Sequence, residues 1–267
     1  MNRQSKIVKI FGNSMIKINK NHDEAINTFK NYIAESKDKI NVLVNYDTHS
    51  DIFVNGKLSE ITIGNWANFC FNKLGISDYY WIVPKYITEN EHFKKIYEQK
   101  QELRINYPLR SFDDADINLD NINTREFFFD IDTSELISSS KFEYINNKCK
   151  RYGITQLIEE SKRFQKVKIF IISLKNICQL KGKQVFLSVD ADAFCNTGFD
   201  TTFGINNKEI THEQLEDEFD YFIDCLYNCN IDIKCASLVR SPVYFPKLFE
   251  QDLNNFYKEI YDSSIYN

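Results

Sequence analysis

With 267 residues, 43% of them hydrophobic and 15% aromatic, the chain carries enough apolar surface for one large core and is not composed like a disordered segment. A net charge of −5 supplies no basic field, so nucleic acid is excluded as an expected partner. No apolar run approaches the roughly 20 residues that span a bilayer, so no membrane association is expected. Met1 to Ser5 is polar and lacks the apolar centre of a signal peptide. The seven cysteines (Cys70, Cys149, Cys178, Cys195, Cys225, Cys229 and Cys235) form an odd set without metal-finger spacing. They read as reduced, buried thiols in a cytoplasmic protein. Cys225 and Cys229, four apart on an expected helix, could share a face, though core packing is the commoner reason for such spacing.

In chain order, residues 6–11 read as a strand, Gly12-Asn13 as a turn and residues 15–18 as a second strand. His22 then precedes a helix whose Ile26, Phe29 and Ile33 lie on one face, running to about residue 36. A strand ends at Tyr46, Asn55-Gly56 is a turn, and a helix over 62–74 closes at Gly75. Residues 79–83 form a strand stopped by Pro84. From 85 to 126 the pattern is polar and weakly periodic, with a helix near 91–101. Residues 127–132 are an edge strand or part of an insertion packed over the sheet. A helix near 153–163, strands at 167–172 and 184–190, an amphipathic helix over 212–229, a strand at 233–239 and a tail helix over 245–261 complete the pattern. Alternation of this kind predicts one α/β domain over residues 1–267, a three-layer α/β/α arrangement around a mainly parallel sheet. The segment at about 85–166 is a variable insertion or lid.

Two of these strands end in metal-capable side chains. Asn41-Val42-Leu43-Val44-Asn45-Tyr46 empties into Asp47-Thr48-His49-Ser50-Asp51, and Gln184-Val185-Phe186-Leu187-Ser188-Val189 into Asp190-Ala191-Asp192. Side chains two apart on extended chain point the same way, so alternate acids can converge on one ion or an adjacent pair. Open α/β sheets also bind ligands at strand ends. Carboxylates suit hard cations and imidazole the borderline ones, so the mixed set favours manganese, iron, cobalt or zinc over calcium. Polar residues after a strand also serve as turn formers, but two such clusters on two buried strands argue for a site.

His22 opening a helix, Asp-x-His-x-Asp at 47–51 and Asp-x-Asp at 190–192 together resemble the arginase–deacetylase superfamily. Ile63-Gly64-Asn65-Trp66, Trp81-Ile82-Val83-Pro84 and Val239-Arg240-Ser241-Pro242 look like its peptide arginase branch, whose members convert arginine residues of ribosomally made precursor peptides to ornithine and release urea. The likeness covers residues 6–84 and 167–250 and leaves the middle third unmatched. It implies a binuclear centre holding two Mn2+, other divalent transition metals being possible. His22, Asp47, Asp51 and Asp190 would surround one ion, and His49, Asp47, Asp190 and Asp192 the other, with Asp47 and Asp190 bridging. Four ionised Asp and two neutral His balance two divalent cations. Asp51, Asp190 and Asn65 are the implied catalytic residues. Asn65, Trp66, Arg240 and Ser241 are implied to meet an arginine-containing peptide.

Three of these last four have a plainer reading: Asn65 can bond helix backbone, Trp66 can be core, and arginine at a strand end is often a surface ion pair. The chain also departs from small-molecule arginases. Gly64-Asn65-Trp66 stands where a shuttling histidine belongs, Val239-Arg240-Ser241 where a guanidinium-anchoring glutamate belongs, and only His92 and His212 remain as further histidines. Two other readings stay open: a hydrolase of the same fold acting on another C–N bond, such as an amidine or acetylated amine, and a non-catalytic, metal-stabilised peptide-binding protein.

Overall fold

The computed structural model describes residues 1–52, 60–89, 121–151, 163–195 and 210–265, the side chains of 149–151 excepted. The strands β1 (Met15–Asn19), β2 (Val42–Tyr46), β3 (Asp78–Val83), β4 (Asn123–Asp130), β5 (Glu135–Ser138), β6 (Phe164–Ser173), β7 (Gln184–Asp190) and β8 (Asp232–Val239) form one sheet. Its order is β1-β8-β7-β2-β3-β6-β4-β5. Pairing is parallel from β1 through β6 and antiparallel where β4 meets β6 and β5 meets β4. The middle segment therefore contributes the outer edge of the same sheet, with β5 rather than β4 at the rim. The helix expected near 91–101, the Asn55-Gly56 turn, His92 and nearly all of the helix expected near 153–163 lie outside the described residues.

The longer helices are α1 (Arg3–Phe11), α2 (Ala25–Glu35), α3 (Trp66–Leu74), α5 (Ser139–Arg151), α6 (His212–Cys229) and α7 (Glu250–Ile265), with a single turn, α4, at Lys85–Thr88. Period-two alternation in the strands separates two cores. Val42, Val44, Tyr80, Ile82, Val185 and Leu187 face Phe11, Phe219, Phe222 and Phe256 on one side. Leu43, Tyr79, Trp81, Phe186 and Ile169 face Phe29, Trp66 and Phe71 on the other. The α/β/α layering follows from a sheet that is apolar on both faces and must be covered on both.

Residues 6–11 are helical, not a strand. Their apolar residues fall at 7, 8, 10 and 11; Ile7 and Phe11, one turn apart, are fully buried, Ile10 packs beside them, and Val8 is left exposed. Asn2 caps this helix through its Oδ1, which accepts from the Ser5 amide at 3.0 Å. α3 begins at Trp66 instead of residue 62, because 62–65 form a turn in which Asn65 Oδ1 accepts from the Thr62 amide at 2.8 Å. It ends at Gly75, whose φ of +70° supplies the left-handed cap. α6 matches its expected span and closes its N-terminus with a capping box between Thr211 and Gln214. The expectation that all thiols are reduced fails for one pair. Cys178, in the 3-10 turn after β6, is disulfide-bonded to Cys229 at the end of α6, and Cys225 is free. Two elements 51 residues apart meet there, a proximity that spacing along one helix cannot reveal. No helix among the described residues is long and apolar enough to cross a membrane.

Candidate metal centre

The strand order positions the site. From β2 the chain steps to β3 and on toward β6, while from β7 it steps to β8 in the opposite direction, so the order reverses between neighbours β2 and β7. In open α/β sheets that reversal leaves a crevice at the carboxyl ends of the strands. The register brings the acids there: Tyr46 pairs with Val189, so Asp47 and Asp190 leave adjacent strands at one level. Asp190 also pairs with Val239, which pairs with Asn19 at the end of β1, and three residues beyond Asn19 stands His22.

Five of the six expected ligands are buried. His22 is 3% exposed, Asp47 and Asp192 0%, Asp190 5% and Asp51 6%, whereas the His49 side chain keeps 25% of its surface. His22 Nδ1 lies 2.8 Å from Asp51 Oδ2, 3.1 Å from Asp47 Oδ2 and 3.1 Å from Asp190 Oδ2. His49 Nδ1 lies 3.5 Å from Asp47 Oδ1 and 3.2 Å from Asp192 Oδ2. Two metal-sized donor groups result, His22–Asp47–Asp190 and Asp47–His49–Asp192, and Asp47 gives one oxygen to each.

These donors fit cations better than they fit one another. One imidazole N–H has a single hydrogen, yet three carboxylate oxygens crowd His22 Nδ1. Donors around one octahedral ion with bonds of about 2.1 Å stand about 3 Å apart, the spacing seen here. Asp192 Oδ2, although 3.2 Å from His49 Nδ1, is a buried oxygen that receives no hydrogen bond. A buried carboxylate oxygen left in that state is costly unless a cation meets it.

Electrostatics point the same way. Burial alone would depress His22, but Asp51, Asp190 and Asp47 outweigh it and lift the imidazole well above its usual value. Burial opposes ionisation of Asp47 too, yet its bonds to His22 and His49 hold it well below the ordinary carboxylate range. Asp51 is pushed up to about 7 by burial and then by the charge of Asp47. Burial, Asp190 and Asp47 raise Asp192 strongly. Without a cation, the cluster retains protons to limit its own repulsion.

A second layer holds the expected ligands. Ser188 Oγ is 2.7 Å from His22 Nε2, leaving Nδ1 to the acids. Asn45 Nδ2 donates to Asp47 Oδ2 at 3.1 Å. Trp66 Nε1 donates to Asp51 Oδ2 at 2.5 Å, and Trp81 Nε1 to the Asp47 carbonyl at 3.0 Å. Thr48 and Tyr86 both donate to the Asp192 carbonyl at 3.1 Å, locking the ends of β2 and β7 together. Asn45, Ser188 and Tyr86 were missed from sequence. The signal for two of them was present, since Asn45 and Ser188 each stand two residues before a ligand in an otherwise apolar strand.

The expected substrate-contacting residues fare differently. Trp66 has no exposed surface, and its indole N–H goes to Asp51. The hydrogen bonds of the Asn65 side chain go to Glu60 O and the Thr62 amide, within its own turn. Arg240 and Ser241 follow β8 at the same sheet edge as the ligands. Arg240 is exposed, and its amide donates to Asn19 O at 3.1 Å. Ser241 is buried, with φ of +47°. Beyond them Tyr244 sets its ring 5.3 Å from that of His49, the most exposed of the six expected ligands. His212 is exposed and pairs with Asp252 at 2.8 Å.

No protein-family model matches the chain, and no curated protein matches it in sequence.

Proposed function

We propose that this chain is a binuclear manganese-dependent hydrolase of the arginase–deacetylase type that converts arginine residues of a peptide to ornithine and urea. The observation that carries the metal part of the reading is the pair of donor groups sharing Asp47, buried at the strand-order reversal. The order of ligands along the chain, His, Asp-x-His-x-Asp and Asp-x-Asp, supports the family. The pieces around Asn65, Trp81 and Arg240 support the peptide branch.

Two divalent cations, when bound, supply activation of water and charge stabilisation at the attacked carbon. The chain's own part is placement. His22, Asp47, Asp51, Asp190 and Asp192 are sealed from solvent, while His49 and Tyr244 mark the open side from which a guanidinium would approach. The surplus of carboxylates attracts that cation. Asp51 is held with Oδ2 bonded to Trp66. A peptide substrate fits the departures from the free-arginine recognition set. A cytoplasmic setting requires that Cys178 and Cys229 be reduced in the cell, because a disulfide persists in oxidising compartments.

The test is urea release by manganese-loaded protein from arginine-containing peptides and from free arginine, with Asp190→Asn as control. The proposal expects urea from peptides and none from the variant. Metal uptake without urea from any arginine substrate would redirect the reading to another C–N bond or to binding alone.

A further inference from the structure

The chain has two tryptophans, and both direct their indole N–H into the Asp47–Asp51 segment. They do so differently. Trp81 donates to a backbone carbonyl, the ordinary way for a buried indole to find its partner. Trp66 donates at 2.5 Å to Asp51 Oδ2, the same oxygen that lies 2.8 Å from His22 Nδ1. Its ring meets the imidazole of His22 at 4.7 Å between centroids, tilted by 31°. One fully buried side chain thus touches two ligands that arrive from separate parts of the fold, one after β1 and one after β2.

Trp66 is itself held firmly. It is the first residue of α3, and its ring lies 6.3 Å from that of Phe29 in α2. Asp51 needs such a brace more than its neighbours do. Asp47 and Asp190 emerge directly from strands, whereas Asp51 lies beyond β2 with φ of +49°, a region an aspartate enters only at a cost. Its carboxylate orientation is set by what grips it, and the indole N–H, a donor with no acceptor capacity, can grip only an oxygen.

We propose that Trp66 is a positioning residue of the metal centre, fixing the Asp51 carboxylate through its N–H and bracing His22 with its ring. This rests on the metal-centre reading and deepens it. The consequence is asymmetric: the His22 side of the centre depends on Trp66, and the His49–Asp192 side does not.

The test is calorimetric titration of metal-free protein with Mn2+, comparing the native chain with Trp66→Phe, alongside melting temperatures of the metal-free proteins. Because Phe leaves space in the core and can unfold the chain, a second replacement puts the benzothiophene analogue of tryptophan at position 66, keeping the ring and deleting only the N–H. The expected result is weakening of one manganese site by about tenfold or more, the scale of lost outer-shell support, with the other changed by less than about threefold. Native affinity at both sites in the analogue protein, or equal weakening of both, overturns the positioning role and leaves the metal centre standing. Failure of the native chain to take up any Mn2+ overturns the metal centre, and this inference with it.

Discussion

At the residue scale, the candidate centre is set by which nitrogen of His22 faces the acids. Ser188 engages His22 Nε2 and so commits Nδ1 to the carboxylates. Ser188→Ala, a small change within β7, is expected to lower manganese affinity by about tenfold or more while leaving the metal-free melting temperature nearly unchanged. A paired titration and melt check this. The ligands also predict a pH dependence whose sign is fixed. His22 titrates above its usual value and Asp51 at about 7, so both hold protons in mildly acidic solution when no cation is present. A cation must displace those protons, so affinity rises as pH increases through about 7, and binding releases protons. Isotherms on either side of that pH, in buffers of different ionisation enthalpy, read both effects. Five of the six expected ligands stood out in the sequence because a spacing of two repeats at two strand ends, and His22 because it opens a helix just after a strand. Asn45 and Ser188 were equally visible, but a lone polar residue in an apolar strand does not announce its partner. Trp66 was visible as a substrate contact implied by resemblance or as core, but nothing in its local sequence says that its N–H meets Asp51.

At the element scale, the outer edge of the sheet hangs on an ion pair. β4 runs antiparallel to β6 with Asp130 opposite Phe164, and Arg163, just before β6, donates through Nε at 2.9 Å and Nη2 at 2.6 Å to the two Asp130 oxygens. Burial would raise Asp130, but the Arg163 guanidinium outweighs it and holds the carboxyl below its ordinary value. A depressed folded-state value contributes stability above the unfolded pKa of about 4, and that contribution is lost as pH falls through the lower folded value. Arg163→Ala is therefore expected to cost roughly 1 kcal/mol at neutral pH, the pair being partly open to solvent, and to cost progressively less below about pH 4. Denaturant melts of both proteins across that range test the sign as well as the size. The parallel strands of this sheet were readable as apolar runs, some bounded by Pro or Gly, whereas β5, only four residues long, was not expected. α1 was misread because four apolar residues within 7–11 satisfy a short strand and a helix face equally, and only packing of Ile7 and Phe11 against α6 and α7 decides between them. The Cys178–Cys229 bond was illegible for a related reason, since pairing needs three-dimensional proximity.

At the scale of the whole molecule, one sheet accounts for everything described, and its order explains why ligands from residues 22 to 192 meet at one place. The reversal falls between β2 and β7, the register levels Asp47 with Asp190, and an apolar core lies on each face of the sheet. The six parallel strands came from sequence, but their order did not, because several parallel orders satisfy the same alternation of elements. The strand-end cluster is read as a seat for two cations sharing Asp47. The most direct test is the number of manganese ions bound per chain, measured by elemental analysis after saturation and removal of free metal, on the native protein and on Asp47→Asn. Two ions per native chain and loss of both in the variant are expected, since each donor group includes Asp47. One ion or none in the native chain, or two retained without the Asp47 carboxylate, would contradict that reading.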